Sequence, residues 1–175
     1  LGQRIFQQPF SWKSLGVDIR GRSRTLRINY RTSHQIRMQA DRLLGKEITD
    51  VDGNVEERRG IVSVFNGPKP AIMVYDSQKK EIDAVAKWIK EQISDVMPHE
   101  ISLFVRSEAQ LPRAQAAIEK SKVPFCILDD KVETESGHVS ISTMHLAKGL
   151  EFRTVCVMAC DDDVIPLQER IEMAG

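Results

Sequence analysis

The sequence carries no net charge, no CxxC pair, no internal repeat and no apolar run of membrane-spanning length, and each absence removes a class of function. With 25 Lys and Arg against 25 Asp and Glu, the whole-protein field cannot draw in a polyanion, so any nucleic-acid contact must come from a local patch. One such patch is present, Arg20, Arg22, Arg24 and Arg27, which reads equally as a solvated basic turn. Three cysteines (Cys126, Cys156, Cys160) are an odd number without metal-ligand spacing, which argues against a disulfide framework and a zinc site. Cys156 and Cys160 flank an apolar run and read as small core hydrophobes, a usage that suits a reducing, cytosolic compartment. The amino terminus lacks the charged-then-apolar pattern of a secretion signal, and no membrane association is expected. What remains is a soluble chain of 175 residues, enough for one ordinary domain with its own core. Leu1 is not an initiator methionine and Gly175 falls inside a possible helix, so the chain reads as a fragment.

Strand-like and helix-like segments alternate. Leu26–Tyr30 reads as a short strand, and Thr32-Ser33-His34-Gln35 as a capping box for a helix with Ile36, Ala40, Leu43 and Leu44 on its inner face. Residues 46–60 are polar, carry the turn signal Asp52-Gly53-Asn54 and read as a loop or an excursion. Ile61–Phe65 and Ala71–Tyr75 read as strands. Asp76 or Ser77 caps the clearest helix, in which Ile82, Val85, Ala86, Ile89, Ile93 and Val96 recur at helical spacing before Pro98. Ile101–Val105 is continuously apolar, as in a strand buried on both faces. A helix over Ser107–Lys120 points Leu111, Ala114 and Ile118 inward. Pro124–Leu128, Val139–Thr143 and Thr154–Ala159 complete the strands, with a short helix over Leu146–Leu150. This order implies an α/β fold, a mostly parallel sheet with helices on both faces, in which ligands gather at the carboxyl ends of the strands.

One stretch puts chemistry there. From Val139 to Phe152 the chain passes from a strand into a turn and carries Thr143, His145, Lys148, Gly149 and Glu151 past the strand end. Gly149 permits a sharp turn or a close backbone approach, and a helix start after a strand suits an anion. Singly, each residue has a plain explanation: a solvated lysine, a surface histidine, a threonine cap.

Together, Thr-x-His-x-Ala-Lys-Gly-Leu-Glu-Phe resembles motif V of UvrD/Rep-type superfamily 1 DNA helicases at every position. The resemblance implies that Thr143 and His145 face single-stranded DNA and that Gly149 and Glu151 meet the phosphate or ribose side of ATP, with Lys148 serving either ligand. Leu26-Arg27-Ile28-Asn29-Tyr30-Arg31-Thr32-Ser33 is similar to motif IV of the same family, which implies that Tyr30 stacks on adenine and Arg31 reaches the γ-phosphate. Gly2-Gln3-Arg4-Ile5-Phe6 resembles the end of motif III, with Gln3 as a second γ-phosphate sensor, and Phe10 or Trp12 as a stacking surface for a DNA base; core packing is the rival role for Trp12.

The family resemblance implies a RecA-like, P-loop NTPase-like domain spanning residues 1–175, the second motor domain of an ATP-dependent helicase. ATP with Mg2+ would be shared with the first RecA-like domain of the same chain, which would hold most of the metal. That domain's Walker A loop and acidic pair are absent from this sequence, as is an arginine-bearing motif VI. Only residues 129–138 stand where larger relatives insert an accessory subdomain. Asp161-Asp162-Asp163 reads as a polar loop rather than a metal site. The resemblance further implies movement 3′ to 5′ along DNA, a setting in DNA repair and an isolated fragment that is inactive. A non-catalytic nucleic-acid-binding or interaction module that kept the fold is the alternative.

Overall fold

The computed structural model describes residues 13, 15–17, 27–43, 47–49, 55–57, 61–131 and 133–165. They divide into two compact units between Met73 and Val74.

The first unit runs β1 (Ile28–Asn29), α1 (His34–Leu43), β2 (Glu47–Thr49), β3 (Val55–Glu57) and β4 (Val62–Ser63). β1 and β4 pair in parallel, Ile28 opposite Val62. Both are shorter than the expected strands at Leu26–Tyr30 and Ile61–Phe65, because the backbone bends at Tyr30 and Val64. Within the stretch expected as a loop or an excursion, β2 and β3 pair antiparallel, Glu47 opposite Glu57 and Thr49 opposite Val55. The charged residues of these strands hid them from an apolar-alternation reading.

The expected capping box gives way to a different arrangement. The Ser33 hydroxyl, not that of Thr32, accepts the Ile36 N–H at 3.4 Å, and Gln35 turns away to accept the Gly67 N–H at 2.7 Å. α1 also lacks the expected apolar inner face among its described side chains, for Ile36 and Ala40 are exposed. Its half-buried side is polar: Arg37 donates to Asp41 at 2.7 Å and to Ser63 Oγ at 3.1 Å. Helical periodicity alone does not say which side has a partner to pack against.

Ala71–Tyr75 forms no strand. Ile72, Met73 and Val74 are exposed at 86, 69 and 91 %, and no described strand pairs with the segment. A β-branched run suits a strand, but a strand also needs a neighbour for its backbone N–H and C=O groups.

The second unit holds α2 (Gln78–Gln92), β5 (Ile101–Val105), α3 (Leu111–Ser121), β6 (Phe125–Ile127), β7 (Val139–Thr143) and β8 (Thr154–Val157). The strands form one parallel sheet in the order β6-β7-β5-β8. The α/β class expected from the sequence is therefore the observed one, consistent with a RecA-like helicase domain. Ser77 caps α2, its hydroxyl accepting the Lys80 N–H at 3.3 Å, while Asp76 pairs with the Lys80 ammonium instead. α2 ends at Gln92, before the expected Ile93 and Val96, and Ile93 is exposed. α3 begins after a 3-10 turn at Glu108–Gln110, with Pro112 in its first turn, where a missing N–H costs nothing. Lys122, at φ 62°, closes it in the left-handed conformation.

Strand alternation separates two chemistries. Ile101, Leu103 and Val105 of β5 and Val139 and Ile141 of β7 join Val85 and Ile89 of α2 and Ala114 and Ile118 of α3 in one core. The intervening positions, Ser102, Phe104, Ser140 and Ser142, are buried on the opposite face. There Ser102 Oγ donates to the Ser140 carbonyl at 3.2 Å, and Phe104 meets Phe152 edge to face with ring centroids 5.9 Å apart. β5 and β7 are buried along their whole length, as a continuous apolar run implies for β5.

Candidate functional site

Thr143 ends β7, one of the two inner strands, and the chain then enters a 3-10 turn at Met144–Ala147. The turn starts two residues before the expected short helix and leaves Lys148 extended. Thr143 is 3 % exposed, yet its hydroxyl does not cap the turn; its partner is His145 Nε2 at 3.4 Å, a long contact. Lys148 and Glu151 are exposed. Gly149 has φ 94°, and a Cβ built on it would meet nothing within 4 Å. The glycine is required by backbone conformation rather than by crowding, and it leaves open space against the main chain. Leu150 N–H closes the bend on the Ala147 carbonyl at 3.2 Å. The sequence motif is thus a surface turn at a strand's carboxyl end, with a buried hydroxyl at one end and exposed charges at the other.

A cavity of ≈ 210 Å³ opens beside it. Thr143 and His145 line it together with Leu111, Leu128 and Leu146. Three exposed carboxylates, Glu108, Asp129 and Asp130, complete the lining, and sequence reasoning did not select them. They come from the starts of two loops far apart in sequence, and a single chain gives no signal for that meeting.

A second cluster, also not foreseen, lies past β8. Arg113 of α3 reaches Glu81 of α2 at 2.5 Å and Asp161 at 2.5 Å, with its side chain 9 % exposed. Burial opposes its charge, but the Asp161 hydrogen bond and the Glu81 carboxylate outweigh this and raise its pKa. Asp161 of the acidic triplet is therefore an ion-pair partner. Cys156 beside this cluster has its thiol pushed up to about 12, by burial first and then by the Glu81 charge and Cys160. Cys156 is part-buried, but Cys160 is exposed, which corrects its reading as a core hydrophobe: the chain leaves the sheet before it. Burial and the Glu81 and Asp161 carboxylates raise the Cys160 pKa as well.

In the first unit, Tyr30 and Arg31 sit on the turn between β1 and α1 and are both exposed, Tyr30 at 71 %. Asn29 builds the turn, its side-chain oxygen accepting the N–H groups of Arg31 at 2.9 Å and Thr32 at 3.0 Å. Gln3, Phe10 and Trp12 lie outside the described residues, as do Arg20, Arg22 and Arg24. The structure thus brings Thr143 and His145 together on one cavity and places Lys148, Gly149 and Glu151 on the turn that follows. Among the described residues no group of three His, Cys, Asp or Glu side chains could hold a metal ion, and no helix is long and apolar enough to cross a membrane.

A parallel α/β sheet with a polar turn at a central strand's carboxyl end defines a broad class of ligand-binding domain. Residues 128–174 match the family model of the UvrD-like helicase C-terminal domain, so this part of the chain is similar to that family. The match contains the whole of Val139–Phe152, the stretch on which the sequence resemblance rests. No curated protein and no solved structure matches the chain.

Proposed function

We propose that residues 1–175 form the second RecA-like motor domain of a cytoplasmic, ATP-dependent DNA helicase of the UvrD/Rep type, acting in DNA repair. The observation that carries this reading is the run Thr143, His145, Lys148, Gly149, Glu151 at the carboxyl end of β7, inside the stretch that matches the helicase family. The buried Thr143 hydroxyl and His145 face single-stranded DNA, with Phe10 or Trp12 as a base-stacking surface. Gly149 offers an open backbone to the phosphate or ribose side of ATP, with Glu151 beside it and Lys148 serving either ligand. Tyr30, held exposed by the Asn29 turn, supplies an aromatic face for adenine. Arg31 and Gln3 sense the γ-phosphate, the guanidinium balancing charge that develops during phosphoryl transfer.

Among the described residues no side-chain cluster suits a metal ion; by the family resemblance Mg2+ would be held mainly by the first RecA-like domain of the complete protein. ATP with its metal supplies the free energy that the two domains turn into translocation, 3′ to 5′. On its own the chain binds nucleotide weakly and does not turn it over. The test is Arg31→Ala in the complete protein. A severe loss of DNA-stimulated ATPase with unchanged circular dichroism is expected, and a near-normal rate overturns the assignment.

A further inference from the structure

The cavity beside Thr143 has the wrong charge for a phosphate. Three of its lining residues, Glu108, Asp129 and Asp130, are carboxylic acids, and none is Lys or Arg. A phosphodiester would meet like charge there, whereas phosphate contacts on nucleic acids are made chiefly by Lys, Arg and backbone N–H groups. Carboxylates accept hydrogen bonds and therefore suit a ligand edge that donates them. Leu111, Leu128 and Leu146 line the same cavity and offer apolar surface to the face of a ring.

Independently of the acids, Thr143 is 3 % exposed and lines the cavity. A hydroxyl offers one donor and two acceptor positions, and this one has a single long contact, to His145 at 3.4 Å. A buried polar group left so lightly engaged favours a ligand that completes its hydrogen bonding. Asp129 keeps acceptor capacity too, for one of its oxygens takes the Lys131 N–H at 2.9 Å and the other oxygen is available in kind.

We propose that this cavity takes one unstacked base of the single strand, amino edge first, and so discriminates against thymine. The proposal rests on the DNA reading of Thr143 and His145 given above. Cytosine presents an amino group that a carboxylate accepts, whereas thymine presents a carbonyl oxygen and a methyl group at the corresponding edge. The backbone of the strand runs outside the acidic cavity, and only the base enters.

The test is a fluorescence titration of the complete protein with oligo(dC) and oligo(dT) of equal length, without divalent cations, with and without a non-hydrolysable ATP analogue. The wild type should bind oligo(dC) about tenfold more tightly, in the range of one good base contact. Glu108→Gln, Asp129→Asn and Asp130→Asn combined should bring the two affinities together; these are exposed positions, where such changes leave the fold in place. Equal affinities in the wild type overturn the proposal, as does a preference that survives in the triple variant. Equal tightening of both oligonucleotides in the variant also overturns it, since the acids would then act only by repelling DNA. Binding of neither oligonucleotide by the wild type would instead overturn the DNA reading on which the proposal rests.

Discussion

Glu81, in the first turn of α2, accepts the backbone N–H of Ala159 at 3.0 Å, just past the end of β8. That bend puts a non-glycine residue in the left-handed region: Ala159 has φ 55°, which side chains with a Cβ avoid. The carboxylate therefore holds a strained turn as well as pairing with Arg113.

Arg113→Ala removes both ion pairs of this cluster. It leaves the Glu81 carboxylate, whose side chain is 13 % exposed, without its charge partner, and breaking a pair buried to this degree costs about 3 kcal/mol. Asp161→Asn removes a partner that is 47 % exposed and should cost less than about 1 kcal/mol. Urea-unfolding midpoints of the two variants measure the difference. Equal losses would mean that the Glu81 pair adds nothing beyond the Asp161 pair.

Cys156 gives a stability effect at alkaline pH. Its folded pKa, about 12, stands above the ordinary thiol value of 9.0, so folding favours the neutral form. The associated stability is complete below 9.0 and is lost as pH rises toward 12, because the unfolded chain ionises first. The stability of wild type should therefore fall more steeply through that window than that of Cys156→Ala, as measured by urea denaturation across the alkaline range. Parallel curves would contradict a buried neutral thiol.

Tyr30 separates function from folding. At 71 % exposure it packs little, so Tyr30→Ala should change stability by less than about 0.5 kcal/mol. If its ring stacks on adenine, the same change raises the KM for ATP in the complete protein by about tenfold, the upper range for an aromatic pair. Tyr30→Phe should restore the KM, since the ring rather than the hydroxyl makes the contact. Steady-state ATPase assays decide it, and an unchanged KM in the alanine variant removes the stacking role.

The sequence made β5, β7, β8, α2 and α3 legible because burial on a sheet or one helix face imprints a period on the chain. It also made the Thr143–Glu151 turn legible as a site, because a polar cluster directly after an apolar strand has a fixed place in a parallel sheet. It failed where structure depends on partners distant in the chain. Ala71–Tyr75 has the composition of a strand and no described strand beside it, and Ile36 and Ala40 have helical spacing without a surface to cover. Glu81, Arg113 and Asp161 are ordinary surface types individually, and only the meeting of α2, α3 and the chain after β8 makes them a cluster.

Gly149 and Gly137 supply a controlled comparison of strain with function. Both have positive φ, 94° and 79°, and neither would bring a Cβ within 4 Å of another atom. Alanine at either position meets the same obstacle, a backbone conformation that costs roughly 1–2 kcal/mol for a residue with a Cβ. The two variants should therefore lose similar stability in thermal or urea unfolding. Their ATPase rates should diverge. Gly137 belongs to the segment between β6 and β7, whereas Gly149 belongs to the turn assigned to the nucleotide. Gly149→Ala either moves the turn or places a methyl group where the backbone would approach the phosphate or ribose, so the complete protein should lose about tenfold or more in kcat/KM, equivalent to about 1.4 kcal/mol. Gly137→Ala should stay within about twofold of wild type, as a surface change remote from the chemistry does. Equal losses of activity would trace the effect to stability alone and withdraw the nucleotide role from Gly149.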